Sequence, residues 1–282
     1  MSGARDLASF ARAVDALRPY LADLVFVGGW AHFLHTLLPE ATAVPFTPLM
    51  THDADVAAPL RLGVREETIR ARLLAAGFRE ILSGEYQPPV SEYVLGDEAS
   101  GFSLEFLAPL LGGPSRRDGR PDATVALAGV TAQKLRHLDL LLVDPLPVRL
   151  TADQGFPFEA PVTVRVANPA SYVVQKVLVL EKRPPDKQAK DLLYVHDTFS
   201  VFADALPRVR AAWDALRPRL HRNHVRQFED RARRLVATVT DLARRAARVA
   251  ADRPRPLTPE LLVAALRAGF AGGFGLHRGK VS

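Results

Sequence analysis

The sequence predicts an α/β (α+β) fold with a mixed β-sheet core, flanking helices and a mainly helical C-terminal half. Up to about residue 168, short segments that alternate polar and apolar residues are interspersed with segments of helical periodicity. From Phe199 onward the apolar residues recur only at helical spacing. We therefore divide the chain into a sheet-containing core over residues 1–168 and a helical C-terminal region over residues 169–282.

The predicted core contains both helices and strands. In chain order they are a helix over residues 6–24, an apolar strand that ends at Val27 and runs through a Gly-Gly turn into a second helix, a strand over residues 51–57, a helix over residues 65–78 that Gly77 ends, and strands over residues 101–109 and 161–166.

The helical region begins at Asn168-Pro169, because asparagine is a common N-cap and proline is favoured at the first helical position. Its first helix covers residues 170–183 and ends before Pro184-Pro185, and a second begins near Asp186. Further helices are predicted over residues 205–217 and 222–252, followed by a flexible, glycine-rich tail over residues 269–279.

Composition indicates a globular protein without a membrane span. Of the 282 residues, 48% are hydrophobic and 24% are charged, and no run of 18 apolar residues occurs. The N-terminal residues lack the pattern of a secretory signal, so we expect a cytoplasmic location and no membrane partner. The absence of cysteine excludes disulfides, thiolate zinc sites and cysteine nucleophiles. The net charge of +6 is compatible with a polyanionic partner, and the oligomeric state stays open.

The first functional signal is a Gly-Gly turn followed by two spaced aspartates. Gly28 and Gly29 end an apolar strand, and Asp53 and Asp55 stand on a later one. Glycines let backbone N–H groups approach a phosphate closely, and carboxylates hold Mg²⁺ against it. This order of elements is typical of metal-dependent phosphoryl or nucleotidyl transfer.

Spacing places the two aspartates on one face of their strand, with Cα atoms roughly 6.5–7 Å apart. Two carboxylates at that separation can share metal ions about 3.5–4 Å apart. The alternative is that residues 51–55 form a loop in which Asp53 and Asp55 are turn or cap residues.

A third acid, Glu105, lies between Leu104 and Phe106 in the strand pattern over residues 101–109. A carboxylate with apolar neighbours on a central strand is costly unless it is paired or coordinated, so the metal site is its expected partner. The alternative is that Glu105 faces solvent without a role.

Lysine is rare in this arginine-rich chain, which has six lysines among 37 basic residues, four of them between positions 176 and 190. Lys176 stands beside the apolar stripe of its predicted helix and therefore needs an anionic partner, such as a triphosphate. The alternative is that the four lysines between positions 176 and 190 belong to a solvated helix end.

These motifs resemble those of the DNA polymerase β-type nucleotidyltransferase superfamily, and within it the bacterial minimal and AbiEii/MenT-like nucleotidyltransferases. The matching residues are Gly28, Gly29, Asp53, Asp55 and Glu105. The resemblance implies a small mixed sheet with helices that binds an NTP, such as ATP, and two Mg²⁺ ions, with Mn²⁺ as an alternative. Asp53 and Asp55 would hold both ions, and Glu105 would bind one and help to deprotonate the acceptor.

AbiEii-like enzymes are also similar in carrying a lysine on one helix, then a basic loop and an [RK]-D-hh segment. Here the segment begins with Lys190-Asp191. The resemblance implies that Lys176 and Lys190 bind the nucleotide and that Asp191 completes the active site. Asp191 could instead be a surface residue that pairs with Lys187 at i, i+4.

The predicted function is transfer of a nucleoside monophosphate from an NTP to a hydroxyl of RNA or a tRNA end, a protein or a small molecule. The resemblance further implies a toxin of a toxin–antitoxin pair, with an antitoxin protein as partner. One class of alternative is a non-catalytic nucleotide- or RNA-binding module on this scaffold, and another is an α/β protein in which the aspartate pair is accidental. A basic helix face could bind RNA, or could be a solvated exterior; its residues are Arg231, Arg233, Arg234, Arg244, Arg245 and Arg248.

Overall fold

A computed structural model describes residues 2–49, 51–84, 86–97, 101–251 and 255–277. The chain forms two compact units. The sheet unit comprises Met1–Leu34 and Met50–Ala167, and the helical unit comprises His35–Leu49 and Asn168–Ser282. The functional division of the chain at residue 168 stays a prediction.

The sheet unit contains nine strands and three helices among the residues that the structure describes. The helices are α1 Ser2–Ala16, α2 Gly28–His35, whose last residue belongs to the helical unit, and α3 Ile69–Ala75. The strands are β1 Val25–Val27, β2 Asp53–Ala57, β3 Arg79–Ser83, β4 Val90–Leu95, β5 Phe102–Pro109, β6 Thr124–Leu127, β7 Val130–Leu135, β8 Leu146–Leu150 and β9 Val162–Val166.

The strands form one mixed sheet in the order β3-β4-β5-β2-β1-β9-β8, and β7 pairs with both β5 and β6. The central pair β2–β5 is parallel, whereas β1–β2 and β4–β5 are antiparallel. The predicted mixed-sheet fold is therefore confirmed. Strands β3, β4, β6, β7 and β8 were not predicted from the sequence.

One face of the central strands is packed into the core. Ala54 and Val56 on β2 and Leu104 and Phe106 on β5 are completely buried. Because side chains alternate along a strand, this hydrophobic face fixes which residues point to the other side of the sheet.

The helical unit is helical as predicted. Its helices are α4 Pro169–Val179, α5 Pro185–Val201, α6 Leu206–Leu216, α7 Arg222–Ala237, α8 Asp241–Ala251 and α9 Pro259–Phe274. Helix α4 begins as expected: the side chain of Asn168 accepts a hydrogen bond from the backbone N–H of Ser171, and Pro169 follows the cap.

Two predicted helices of the sheet unit are shorter than their apolar patterns. Helix α1 ends at Ala16, since Pro19 starts a separate 3-10 turn at Arg18–Tyr20. Helix α3 begins after Thr68, whose hydroxyl accepts a hydrogen bond from the N–H of Ala71. An N-cap side chain therefore sets this start more sharply than the periodicity does.

The prediction of one helix over residues 222–252 is wrong. The chain is extended at Thr238, with ψ 169°, and this separates α7 from α8. Thr240 then accepts a hydrogen bond from the N–H of Ala243 and starts a new helix. Three consecutive β-branched residues at 238–240 favour such a break, because their side chains crowd the preceding helical turn.

The prediction of a flexible tail from residue 269 is also wrong up to Phe274, which belongs to α9. The glycines there serve packing. A β-carbon at Gly269 would lie 2.7 Å from Cδ1 of Phe199 and closer to two other ring atoms, and one at Gly272 would lie 2.8 Å from Cδ1 of Leu206. The helix ends at Gly275, which has φ +67°. Residues 278 and 279 of the predicted tail lie outside the described residues.

Across the part of the chain that the structure describes, no helix combines the length and apolar character that crossing a membrane requires.

Replacing Gly269 with alanine is expected to lower the free energy of unfolding. The new methyl group overlaps the ring of Phe199, and overpacking of this kind costs about 1–3 kcal/mol. Alanine is favoured over glycine in a helix by only ~1 kcal/mol. Because the overlap here is severe, we expect the cost of overpacking to exceed that gain. Urea denaturation of Gly269→Ala measures the effect. The matched control is Gly63→Ala, where a β-carbon meets nothing within 4 Å. Equal stabilities of the two variants would contradict this account of α9.

Candidate active site

The Gly-Gly turn and the paired aspartates are adjacent in the structure. Strands β1 and β2 are antiparallel with Val27 opposite Asp55, so the residue after Val27 meets the carboxylate directly. Gly28 has φ +64°, and a β-carbon there would lie 3.0 Å from Cγ of Asp55 and overlap a carboxylate oxygen. Only glycine accommodates both the backbone conformation and this contact.

Asp53 and Asp55 both lie on β2, so the alternative of a loop is wrong for these two residues. Asp53 is the first residue of the strand and is exposed, and Asp55 is half-buried. Their positions two residues apart place both on the same face, opposite the buried Ala54 and Val56.

Glu105 is brought to the same place by β5. Parallel pairing of β2 and β5 sets Asp55 opposite Glu105 and Asp53 opposite Ser103. Neighbouring strands lie about 4.8 Å apart, so the two carboxylates start from adjacent backbone positions on one face. Glu105 is half-buried. The structure thus brings together the four predicted residues Gly28, Asp53, Asp55 and Glu105, and their roles stay predictions.

Glu92 extends this group and was not predicted. It lies on β4 directly opposite Glu105 in the antiparallel pair β4–β5, and it is half-buried. Asp55, Glu105 and Glu92 therefore form a row across three adjacent strands, which we call the acid row. The signal that identified Glu105 was available for Glu92 too, since it precedes Tyr93-Val94-Leu95 in a strand-like segment.

The acid row fits a hard divalent cation by the chemistry of its donors. Carboxylate oxygens are the ligands that Mg²⁺ prefers. Like charges directly opposite each other on adjacent strands repel, and a bound cation would reduce that repulsion. Among the described residues, however, no group of three or more acidic or histidine side chains is arranged as a ligand set.

Helix α2 begins at Gly28, directly beside the acid row, and Trp30 fixes its position. The indole ring is buried and stacks on Phe10 at 3.9 Å between centroids. Its Nε1 donates a hydrogen bond to the carbonyl of Thr51, 3.1 Å away, which ties α2 to the segment leading into β2. The N-terminus of a helix carries a partial positive charge, so the Gly28-Gly29 end of α2 is chemically suited to an anion.

His52, which precedes Asp53, contacts α1. Its Nδ1 lies 3.0 Å from a carboxylate oxygen of Asp6 in α1.

In the helical unit, Lys176 and Asp191 form a buried ion pair. The Lys176 ammonium donates to Asp191 at 2.7 Å, and Nε of Arg183 reaches the other carboxylate oxygen at 3.1 Å. The rings of Tyr172 and Tyr194 lie 5.5 and 5.2 Å from the ammonium. The predicted need of Lys176 for an anionic partner is thus met within the helical unit.

Asp191 has a side-chain exposure of 2%, so the alternative of a surface residue paired with Lys187 is wrong. Lys190 is exposed on the same helix, α5. Nucleotide binding by Lys176 and Lys190 and a catalytic part for Asp191 stay predictions.

Most of the predicted basic helix face is already matched by carboxylates. Arg231 and Arg234 pair with Glu181, Arg233 pairs with Glu229 and Asp230, and Arg244 pairs with Asp241. These pairs lower the attraction that this face can offer to a polyanion.

Residues 5–217 match a family model, NTP_transf_8, described as nucleotidyltransferase. The match includes every predicted site residue, namely Gly28, Gly29, Asp53, Asp55, Glu105, Lys176, Lys190 and Asp191. No curated protein matches the chain.

Replacing Asp191 with alanine is expected to destabilise the helical unit strongly. Removing one partner of a buried ion pair leaves the other charge buried, which costs about 3–5 kcal/mol. The control is Asp230→Ala, because Asp230 also lies within a helix and pairs with an arginine, but its side chain is 49% exposed. The control should lose no more than about 1 kcal/mol in urea denaturation. Similar losses for the two variants would contradict a buried pair.

Proposed function

The chain belongs to the nucleotidyltransferase family, and we propose that it is a Mg²⁺-dependent enzyme that transfers a nucleoside monophosphate from an NTP to an acceptor hydroxyl. One observation carries the proposal. Asp55 and Glu105 face the same side of neighbouring strands, and Asp55 packs against Gly28 at the start of α2. Carboxylates for a cation and a helix N-terminus for phosphate thus stand side by side.

In this proposal Asp53 and Asp55 hold two Mg²⁺ ions, and Glu105 holds one of them. Bound Mg²⁺ supplies positive charge that neutralises the triphosphate and lowers the pKa of an acceptor hydroxyl. Glu92, which stands opposite Glu105, adds negative charge to the same face and so strengthens the attraction for cations.

The reaction exchanges one phosphorus–oxygen bond for another. The acceptor oxygen attacks the α-phosphorus, the bond from that phosphorus to the β-phosphate oxygen breaks, and pyrophosphate leaves. Glu105 helps to remove the hydroxyl proton. Positioning and electrostatic stabilisation account for most of the rate in phosphoryl transfer, so the rigidity of the strands matters more than covalent participation by the protein.

Phosphate binding is assigned to Gly28 and Gly29, whose backbone begins α2. Lys176 and Lys190 are proposed to add positive charge for the nucleotide, with Asp191 orienting Lys176 through their 2.7 Å ion pair. In that case Asp191 acts as a positioning residue, and its contact with the Lys176 ammonium supports this role.

The finer identity of the enzyme is part of the proposal. We propose an AbiEii/MenT-like enzyme in the cytoplasm, with a toxin role and an antitoxin partner. Growth arrest on expression of the wild type, and normal growth with Asp55→Asn, is the expected result. Normal growth with both would contradict the toxin role without touching nucleotidyl transfer.

Substituting Asp55→Asn or Glu105→Gln is expected to lower nucleotidyl transfer at least about 100-fold, a loss typical of removing one electrostatic contribution to a transition state. The assay uses purified protein, Mg²⁺ and each labelled NTP in turn, with total RNA or cell protein as acceptor. The control is Asp15→Asn, since Asp15 is an exposed acid that pairs with Arg18 on the surface.

Loss of transfer in the two site variants and retention in the control would support the enzyme. NTP binding that requires Mg²⁺ and Asp55, without transfer to any acceptor, would favour the alternative of a binding module. Absence of NTP binding by the wild type would contradict both.

The acid row predicts a stability response to Mg²⁺. Carboxylates directly opposite each other on adjacent strands repel, so a bound cation should stabilise the sheet unit. At a Mg²⁺ concentration of about five times the dissociation constant, the free energy of unfolding should rise by about 1 kcal/mol, which corresponds to about 2–4 °C in Tm. Thermal unfolding should show this rise for the wild type and none for Asp55→Asn/Glu105→Gln.

The single variant Glu92→Gln removes one repelling charge and should raise Tm without Mg²⁺. A lower Tm for Glu92→Gln would contradict repulsion within the acid row. An equal response to Mg²⁺ in the wild type and the double variant would show that the acid row does not bind the cation.

A further inference from the structure

A second charged feature lies in the helical unit, in the segment over residues 217–226, which we call the basic segment. It contains four arginines, two histidines and no acid, and the stretch from Ala215 to Phe228 has no acid either. It comprises a 3-10 turn at Arg217–Arg219, a cap at His221 and the first turns of α7.

Two arginines of this segment differ from most of those on the predicted basic face. Arg217 pairs with Glu229. Arg222 and Arg226, however, are exposed, and neither forms an ion pair with a carboxylate in the part of the chain that the structure describes. Their charge is therefore available to an external partner.

The start of α7 breaks two local rules of helix stability. Its first turn contains no acid, although acids are favoured there by the helix dipole. Arg222 and Arg226 are like charges at i, i+4, on one face and about 6 Å apart along the axis. An anion bound across both guanidinium groups relieves both conflicts, and such conflicts concentrate at functional sites.

The surroundings of the basic segment suit a nucleotide unit. A depression of about 530 Å³ opens beside it and is lined by Asp214, Arg217, Pro218, Leu220, Arg222 and Val225. Its arginines can bind phosphate, its half-buried Val225 can contact a base or sugar, and its one acid, Asp214, pairs with Arg210.

The large hydrophobic side chains that the structure shows as exposed lie elsewhere in the chain; they are Val64, Leu74, Leu82, Tyr86, Leu111 and Leu261. A membrane-binding surface combines basic residues with apolar side chains that enter the lipid. The basic segment therefore fits a nucleic acid better than a lipid surface.

We propose that the basic segment binds the phosphodiester backbone of a nucleic-acid strand, with Arg222 and Arg226 on successive phosphates and the adjacent depression holding a nucleotide. The bound strand would be the acceptor in the transfer reaction, and this assignment of the acceptor rests on the proposed function. The binding of the strand does not. Since backbone contacts carry no sequence information, the segment should bind strands of different sequence alike.

The test is fluorescence anisotropy with a labelled single-stranded RNA of about 24 nucleotides, without NTP, over a range of salt concentrations. Arg222→Gln/Arg226→Gln should bind about 25-fold more weakly at 0.1 M salt, and its salt slope should fall by about 1.4, since each phosphate contact on a single strand contributes about 0.7. Arg222→Lys/Arg226→Lys, which keeps the charge, should restore most of the binding, and circular dichroism checks folding.

The matched control is Arg233→Gln/Arg244→Gln. It removes the same two charges from exposed arginines of the same unit that pair with Asp230 and Asp241. An equal loss of binding in this control would overturn the proposal, because it would show a general effect of net charge. Absence of RNA and DNA binding by the wild type would overturn it as well.

Free NTP and anionic lipid vesicles test whether the basic segment binds a nucleic-acid strand or another source of phosphate. Full competition by free NTP at equal phosphate concentration, or equally tight binding to vesicles with anionic lipid, would overturn the assignment to a nucleic-acid strand. Nucleotidyl transfer to protein or a small molecule without strand binding would overturn this inference and leave the proposed function standing. Nucleic-acid binding by Asp55→Asn, together with no nucleotidyl transfer by the wild type, would support this inference and contradict the proposed function.

Discussion

The contact between Gly28 and Asp55 constrains the sheet unit more than any other single interaction. The carboxylate occupies the space that a β-carbon would fill, and the backbone of Gly28 has φ +64°. This close approach requires Val27 to stand opposite Asp55 and so fixes the register of β1 on β2. The register of β2 on β5 then places Glu105 beside Asp55. A slip of one residue in β2 would turn both aspartates into the core, so the glycine and the hydrophobic face enforce the same arrangement.

The hydrophobic face compensates for the concentration of charge on the opposite face. Buried apolar side chains on β2 and β5, such as Val56 and Phe106, hold the strands in place by removing apolar surface from water. The acid row on the other side places like charges directly opposite each other, which opposes the pairing of these strands. A cation bound there would offset this repulsion, which is the physical basis of the proposed chemistry.

The helical unit depends on buried ion pairs formed by one helix, α5. Asp191 holds Lys176 and Arg183, and Asp197, which has no exposed side-chain surface, accepts a hydrogen bond from Arg255 at 2.8 Å. Arg255 also stacks on the ring of Phe46 at the edge of a cavity of about 370 Å³. Buried charges are tolerated only with such partners, so each pair specifies which segments contact α5. The sequence pointed to Lys176 and Asp191 as site residues, but it did not show that the two pair with each other.

The fold class, the nucleotidyltransferase superfamily and the strands that carry Asp53, Asp55 and Glu105 could all be predicted from the amino-acid sequence. These features depend on local periodicity and on short motifs, and each such pattern lies within a single segment of the chain. Tertiary structure alone decided the rest. Glu92 became visible as a neighbour of Glu105 only through strand pairing, and the partner of Lys176 only through the packing of α4 on α5. Gly269 reads as flexible in sequence, but the ring of Phe199 makes it a packing residue. In each case the deciding contact joins residues distant in sequence, and such pairing follows from burial and register rather than from local propensity.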